Sequence, residues 1–241
     1  MTAENLAGNM AEGKVRFEIE DGVGLASMDD GKVNALSLEV LKALLEALER
    51  AEEEAQVFLL TGRPGVLSGG FDLGVLRGGQ GTTPAGGDAA RELVKAGGEL
   101  ALGLYGARIP VVIAAPGHAI AMGALLLCSA DTRIGAEGSF KIGLNEIAIG
   151  LPLPAFGIEL ARERISKRHL TRSVLGAEMY TPALAVDAGY LDRVVAPEAL
   201  LDEARAEAHK LAALDGRAHH VTKFAMRGAA IDRIRASLEL G

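Results

Sequence analysis

Apolar and polar residues alternate near the start of the chain and then give way to a helical spacing. Within Lys14–Glu20 every second residue is apolar, which is the period of a half-buried strand. The turn Asp21-Gly22 and the apolar run Val23–Met28 complete a predicted hairpin. Ser37 can then cap a helix in which leucines recur at helical spacing.

Short apolar runs and longer helical patterns alternate over most of the remaining chain. The runs predict buried strands at Gln56–Leu60, Pro110–Ala115 and Asp131–Ile134. A helix is predicted over Ala89–Gly106, and nearly everything from Pro154 onward is helical apart from the extended Arg193–Ala196. Strands that alternate with helices predict an α/β core of stacked βα turns.

Composition and charge narrow the class of protein. The chain has 241 residues, 49% of them hydrophobic, which suffices for one well-buried domain. Its formal net charge of −7 gives no overall attraction for nucleic acid or an anionic membrane, so neither is an expected partner. The single Cys128 excludes an intrachain disulfide. Prolines interrupt the uncharged run Ile109–Ala130, and Met1–Lys14 has no apolar core, so we expect a cytoplasmic protein.

Two glycine-rich turns, Leu67–Leu73 and Pro116–Gly123, each follow an apolar strand and precede a helix. Glycine lets the backbone turn tightly, and the first N–H groups of a helix have no intrahelical acceptor. Two such turns facing one another would hold a negative oxygen, although the construction is common in unrelated folds. The loop-like segment Gly78–Asp88 is a candidate lid, and it lacks the terminal Gly-Lys-Ser/Thr of a Walker phosphate loop.

These motifs resemble those of the crotonase (enoyl-CoA hydratase/isomerase) superfamily. Leu67–Leu73 is similar to its Phe-Ser-Ala-Gly-Ala-Asp-Leu motif, and Pro116–Leu126 is similar to its Asn-Gly-Tyr-Ala-Leu-Gly-Gly-Gly-Cys-Glu-Leu motif. The stretch Asn34-Ala-Leu36 and the segment Gly176–Val195 stand at the places of two further family motifs. The resemblance runs in order, with matching spacing, over roughly residues 15–227.

The resemblance implies an α/β fold, a crotonase-like spiral of ββα turns with a helical C-terminal trimerisation region. It divides the chain into an N-terminal tail (1–13), the α/β core (14–195) and a C-terminal helical region (196–241) that serves oligomerisation and covers the CoA. The expected protein partner is a second copy of the chain, in a homotrimer or a dimer of trimers. The Ala- and Leu-rich helices from Phe156 onward need apolar partners, which supports this expectation.

By the same resemblance, the backbone N–H groups of Phe71 and Met122 form an oxyanion hole, and Glu146 is the acid/base. Hydratases of the family carry two glutamates, and the first of them falls at Leu125, which has no proton to exchange. A single carboxylate suits double-bond isomerisation better than hydration. Burial among apolar neighbours would raise the pKa of Glu146 and make it a useful acid–base group. Its structural alternative is a capping or salt-bridging role.

The substrate implied by the resemblance is an acyl-CoA thioester, so coenzyme A enters with the substrate and no permanently bound cofactor or metal is expected. The residues at the CoA-contacting places of the family are Lys32, Asn34, Ala35, Gly70, Asp72, Leu73 and Lys223. His118 stands where the family has Tyr, and we interpret it as structural. Ser68 lacks the His and Asp partners of a hydrolase nucleophile.

The expected function is that of an acyl-CoA enzyme of the enoyl-CoA hydratase/isomerase type, with hydration and isomerisation both open. Leu125 in place of a carboxylate keeps a second class open, a non-catalytic acyl-CoA-binding trimer. Other chemistry through the same enolate, such as decarboxylation or thioester hydrolysis, is a third alternative.

Overall fold

The computed structural model describes residues 8–78 and 87–239. The strands in this part of the chain are β1 (Gly8–Met10), β2 (Val15–Glu20), β3 (Val23–Met28), β4 (Ala35–Leu36), β5 (Val57–Thr61), β6 (Gly65–Ser68), β7 (Gly70–Phe71), β8 (Val111–Ala115), β9 (Gly117–Ile120), β10 (Thr132–Ala136), β11 (Ile142–Gly143) and β12 (Arg193–Val195). The helices are α1 (Leu38–Glu54), α2 (Leu73–Leu76), α3 (Asp88–Gly106), α4 (Met122–Ser129), α5 (Ala155–Arg164), α6 (Lys167–Val174), α7 (Pro182–Ala188), α8 (Leu200–Ala212) and α9 (Gly216–Glu239).

Seven strands form one sheet in the order β1-β2-β3-β5-β8-β10-β12. The first three pair antiparallel, and the pairs from β3 onward are parallel. Parallel strands are covered on both faces. This explains why β5 and β8 are continuous apolar runs in the sequence and not alternating ones.

Alternate residues of the central strands face two separate hydrophobic clusters. In β5, Phe58 and Leu60 belong to the larger cluster, whereas Val57 and Leu59 belong to the smaller one. Helices α1, α3, α4, α5 and α9 contribute to the larger cluster, and α8 covers the smaller one. The main cavity described below lies on the side of the larger cluster.

Short strands that follow the long ones position the functional turns. The strands β6, β9 and β11 form a parallel three-stranded sheet, and β4 pairs with β7. A long strand is followed by a short strand and then by a helix, as in β8-β9-α4. The predicted spiral of ββα turns is therefore confirmed.

One sequence prediction was wrong at the second glycine-rich turn. Residues Gly117–Ile120 form the strand β9 instead of a loop. The reason lies in a close approach of two backbones, because a Cβ added to Gly117 would lie 1.9 Å from the carbonyl oxygen of Gly65 in β6. Gly117 is therefore needed for the close contact between β9 and β6 and not for a turn.

The first strand lies in the segment that the sequence analysis assigned to an N-terminal tail. Gly8–Met10, inside the predicted N-terminal tail, pairs with Val15–Phe17 as an edge strand. Of the candidate lid Gly78–Asp88, residues 79–86 lie outside the described residues. In the part of the chain that the structure describes, no helix is both long and apolar enough to cross a membrane.

A buried ion cluster ties the C-terminal helix α9 to the core. The carboxylate of Asp131 lies 2.6 Å from Lys223 Nζ and 2.9 Å from Arg227 Nη1, and both basic residues belong to α9. Asp131 also accepts the N–H of Val111 at 2.7 Å. The guanidinium of Arg227 stacks 4.4 Å from the ring centre of Tyr105 in α3. These contacts place α9 beside α3, where its end reaches the cavity.

Candidate active site

The first glycine-rich turn is held by Asn34 and Ser68, which are both buried. The amide of Asn34 donates to the carbonyl oxygens of Met28 at 3.0 Å and Leu67 at 3.1 Å. Ser68 Oγ donates to the Asn34 carbonyl oxygen at 2.7 Å and accepts the N–H of Gly70 at 3.0 Å. These bonds fix the backbone between β6 and β7, and with it the N–H group that follows Gly70.

The N–H group of Phe71 is directed away from the strand β4. Its two neighbours are already bonded, since Gly70 N–H donates to Ser68 Oγ and Asp72 N–H donates to the Leu36 carbonyl oxygen at 3.2 Å. Successive N–H groups of an extended segment point to opposite sides. The N–H of Phe71 therefore points away from Leu36 and β4.

The second turn is a sharp bend at Ala121, with φ 53° and ψ −121°. Positive φ at a non-glycine residue costs on the order of 1–3 kcal/mol and persists only where the surroundings impose it. Here the Ala121 N–H donates to the Gly143 carbonyl oxygen at 2.9 Å, and its carbonyl accepts from Ala124 and Leu125. Met122 becomes the first residue of α4, so its N–H has no acceptor within the helix.

Gly70 brings the two turns into contact. Its φ is +100°, and a Cβ added there would lie 3.0 Å from Ala121 Cβ and 3.1 Å from the Ile120 carbonyl oxygen. The same added atom would lie 3.6 Å from the backbone N of Met122. Two backbone N–H groups on touching segments, one of them at a helix N-terminus, can together hold a negative oxygen.

Glu146 follows β11 and immediately precedes a short 3-10 turn, Ile147–Ile149. Its backbone carbonyl accepts from the N–H groups of Ile149 at 3.0 Å and Leu151 at 2.9 Å, which orients the segment. The residue is 9% exposed. Within the described residues its Oε2 is buried and has no hydrogen-bond partner. Burial in this apolar setting raises the pKa of the carboxyl group to about 7.

A cavity of about 590 Å³ joins these groups, and Phe71, Ala121 and Glu146 all line it. Its other walls are largely apolar and come from α2, α3, the segment after Glu146, α5 and the end of α9. Among the described residues on these walls, Glu146 is the only carboxylate, and the basic side chains are Arg91 and Lys95 on α3. A concave apolar site with one titratable group suits a ligand with a hydrocarbon portion.

Leu125 lies in the helix interface and not on the described cavity wall. It is fully buried in α4. A Cβ added to Gly157 of α5 would lie 2.9 Å from Leu125 Cδ1, so the leucine packs directly on α5. A carboxylate at this position would have to be accommodated between two apolar helices, and leucine avoids that cost.

The candidate CoA-contacting residues have different settings in the structure. Gly70, Asp72 and Leu73 lie together at the mouth of the first turn, where Asp72 caps α2 by accepting the Gly74 N–H at 2.8 Å and Leu73 lines the cavity. Lys32 is exposed and Ala35 is half-buried in β4. The side chain of Asn34 is used within the protein, because it is buried and bonded to backbone carbonyls.

Lys223 lies apart from this group. Its ammonium is buried, 2.6 Å from Asp131 Oδ2 and 2.9 Å from the Ile109 carbonyl oxygen, and it is not on the described wall of the cavity. Burial lowers the pKa of Lys223, an effect that the nearby Asp131 opposes. Because both acceptors are supplied by the chain itself, we assign the side chain to the docking of α9 and not to a phosphate.

His118 and Cys128, which the sequence also singled out, have structural settings within the protein. His118 Nδ1 accepts the Lys141 N–H at 2.9 Å, and its ring lies edge-on to Phe140. Cys128 is fully buried, and burial raises the pKa of its thiol to about 11. Across residues 8–78 and 87–239, no group of three His, Cys, Asp or Glu side chains could hold a metal ion.

Three features of the site had no clear signal in the sequence. The Asn34–Ser68 network joins residues far apart in the chain, and the strain at Ala121 comes from a bend that any small residue could have occupied. The third feature is the cavity wall from α9, where Leu238 lies 2.3 Å from the place of an added Cβ on Gly98. In the sequence, only the glycines of the two turns indicated that backbone segments approach one another closely at the site.

The chain is similar to proteins of one family. A profile of the enoyl-CoA hydratase/isomerase family matches residues 18–240. The mitochondrial enoyl-CoA delta isomerase 1 of Homo sapiens is 33% identical over 227 residues, which cover 92% of this chain and 73% of the human protein.

Solved structures share the fold at similar levels of identity. An enoyl-CoA hydratase/isomerase family protein from Pseudomonas syringae has a TM-score of 0.89 and 42% identity, covering 94% of this chain and 96% of that one. An enoyl-CoA hydratase from Mycobacterium marinum has a TM-score of 0.87 and 36% identity, covering 94% and 97%. The names of these similar proteins include both a hydratase and an isomerase.

Proposed function

Because this chain belongs to the enoyl-CoA hydratase/isomerase (crotonase) superfamily of enzymes that act on acyl-CoA, we propose that it moves the double bond of a 3-enoyl-CoA to position 2. The observation that carries this proposal is the single carboxylate, Glu146, on the described wall of the cavity. Isomerisation needs one group that removes a proton and returns it nearby, and one carboxylate suffices for that.

The reaction begins with proton removal from C2 of the thioester by the Glu146 carboxylate. The electron pair of the broken C–H bond moves toward the carbonyl and gives a dienolate. The backbone N–H groups of Phe71 and Met122 donate to its oxygen, which carries the negative charge. The protonated Glu146 then delivers the same proton to C4, the carbonyl re-forms, and the double bond lies between C2 and C3. Protons and electrons balance without a co-reactant.

Hydration fits this site less well. Adding water needs one group to activate the water and one to protonate the carbon, and each positioned acid or base contributes roughly 10²–10⁴-fold. Leu125 stands where hydratases of the family have the first glutamate, and it is packed against α5. A hydration reaction here would run with Glu146 alone.

The CoA portion is proposed to leave the cavity past the first turn. The backbone of Gly70, Asp72 and Leu73 would lie along the pantetheine and adenine, with Ala35 on the neighbouring strand. Lys32, exposed just before Asn34, would meet the phosphates. Coenzyme A is proposed to enter as part of the substrate, and no permanently bound cofactor is proposed.

The expected assembly is a homotrimer or a dimer of trimers, and the expected location is cytoplasmic. Support for the assembly comes from α9, where Val221 and Phe224 are 58% and 52% exposed on one helix face. Apolar side chains exposed side by side are typical of a surface that another chain covers.

A paired assay with one variant tests the reaction. We expect the purified protein to produce the conjugated enoyl-thioester absorbance from a 3-enoyl-CoA, and to consume a trans-2-enoyl-CoA far more slowly. Glu146→Gln should lower kcat by about 10²–10⁴-fold while the Kd for the acyl-CoA is kept. Glu137→Gln, at an exposed glutamate outside the cavity, is the matched control.

Other results of the paired assay would support hydration, a non-catalytic binding protein or other enolate chemistry. Consumption of the 2-enoyl substrate as the main reaction would establish hydration despite Leu125. Tight binding of acyl-CoA with no change in either substrate would support the non-catalytic binding protein, which Leu125 favours, or would direct the search to decarboxylation and thioester hydrolysis.

A further inference from the structure

The middle of α3 carries two adjacent glycines, Gly97 and Gly98, both buried. Glycine inside a helix is destabilising relative to alanine, so a contact that needs the missing Cβ is expected. A Cβ added to Gly97 would lie 2.3 Å from Cζ and 2.4 Å from Cε1 of Phe71, and 3.6 Å from Cε of Met122. Gly97 is thus a notch that receives the Phe71 ring.

The same two side chains belong to the residues whose N–H groups form the proposed oxyanion hole. Met122 is fully buried, and Phe71 packs on the larger hydrophobic cluster. Both side chains meet α3 at Gly97, although their backbones belong to different turns. The side chains of both donor residues therefore lie against α3 at the same point.

We propose that Gly97 is a positioning residue for the oxyanion hole, acting through the Phe71 ring and the Met122 side chain. The inference rests on the proposed function, because it assigns Gly97 a role in holding the two N–H donors. An alanine at position 97 would push the ring outward by about 1 Å to reach normal carbon contact distances. A stiff ring packed on the core passes that displacement to its own backbone, and so to the N–H of Phe71.

The test is a double-mutant cycle between Gly97→Ala and Phe71→Leu. Leucine ends at Cδ, and only Cζ and Cε1 of Phe71 lie close to the added Cβ. We expect G97A to lower kcat for the 3-enoyl-CoA by about 10–10²-fold with KM changed less than roughly threefold. In the F71L background the same substitution should leave kcat at the F71L value.

Gly98→Ala is the matched control. Its added Cβ would lie equally close, at 2.3 Å, but to Leu238 Cδ2 on α9, and Phe156 is its next contact. G98A is expected to show no coupling with F71L. An equal loss of kcat from G97A in both backgrounds would overturn the proposal, as would a rise in KM with kcat kept.

A second readout separates this inference from the proposed reaction. Acetoacetyl-CoA has an enolisable thioester, and the absorption band of its bound enolate reports the oxyanion hole without turnover. G97A should weaken the band relative to the wild type, and G97A/F71L should match F71L. If the wild type forms the band but does not isomerise, the reaction fails and the band still tests Gly97. If G97A is too unstable to purify, a loss of the band in G97A/F71L relative to F71L overturns the proposal, and a match supports it.

Discussion

At the scale of single residues, Glu146 combines burial with a carboxylate oxygen, Oε2, that has no hydrogen-bond partner among the described residues. Carboxylates that only stabilise a fold are usually paired, as Asp131 is with Lys223 and Arg227. The Oε2 of Glu146 has no partner among the described residues, and the carboxyl group lines the cavity. A buried acid that has a raised pKa and lines a cavity is typical of an acid–base catalyst.

The pKa of Glu146 sets the pH dependence of the rate. Burial raises it to about 7, and the first step of the proposed reaction needs the ionised form. We therefore expect kcat/KM for a 3-enoyl-CoA to rise with pH and to reach half its maximum near pH 7, because this ratio reports the free enzyme. A rate that falls with pH across this range would contradict the assignment of Glu146 as the base.

The raised pKa of Glu146 also predicts that the free energy of unfolding of the wild type and that of Glu146→Gln differ by an amount that depends on pH. The folded state raises the pKa of Glu146 from 4.5 to about 7, so folding favours the protonated form and stability is lost as pH rises between these values. Glu146→Gln removes this loss. We expect equal free energies of unfolding below about pH 4.5, and above neutral pH a variant more stable by at most about 3 kcal/mol. Urea unfolding at several pH values measures this, and a gap that does not change with pH would refute it.

At the scale of elements, the turn at Ala121 stores strain that a glycine would remove. The strain of about 1–3 kcal/mol exceeds the roughly 0.5–1 kcal/mol entropic cost of glycine, so Ala121→Gly should raise the free energy of unfolding by about 1 kcal/mol. Ala121→Val should lower it by more than about 2 kcal/mol, since a β-branched residue is an outlier at positive φ. Thermal denaturation of both variants decides this, and a less stable A121G would show that the bend is unstrained.

The long elements could be predicted because each has a period or a cap. The continuous apolar run of β8 and the Ser37 cap of α1, which accepts the Val40 N–H, are local properties. The strands β6 and β9 could not be predicted, since they have four residues each and include glycine. Their pairing depends on a contact between Gly65 and Gly117. These two glycines are far apart in the sequence, so no local pattern predicts the contact.

The candidate site also has parts that the sequence predicts and parts that only the folded structure shows. Glu146 and the two turns were found through motifs, which are contiguous in the chain. The notch at Gly97 and the packing of Leu125 on α5 depend on residues brought together by folding. Lys223 shows the reverse case, because the resemblance placed it at a CoA-contacting position, whereas in the structure its ammonium group pairs with Asp131.

At the scale of the whole molecule, α9 has two faces with different roles. Lys223 and Arg227 turn inward to Asp131, and the end of the helix supplies Leu238 to the cavity wall. Val221 and Phe224 lie on the outward face, more than half exposed. A helix that is anchored on one face and carries exposed apolar side chains on the other fits a role between the core and a neighbouring chain.

We expect the outward face of α9 to hold the copies of the chain together in the assembly. If a second and third copy of the chain cover it, light scattering will give a mass of about 75 kDa, three times the 25.0 kDa of one chain, or twice that for a dimer of trimers. Val221→Asp/Phe224→Asp should reduce the mass to that of one chain, because burying each apolar side chain contributes about 1.5–3 kcal/mol and a buried aspartate opposes association. Met226→Asp, 77% exposed and away from this pair, is the control that should keep the wild-type mass. A wild-type mass of one chain would contradict the assembly and leave α9 with its inward role alone.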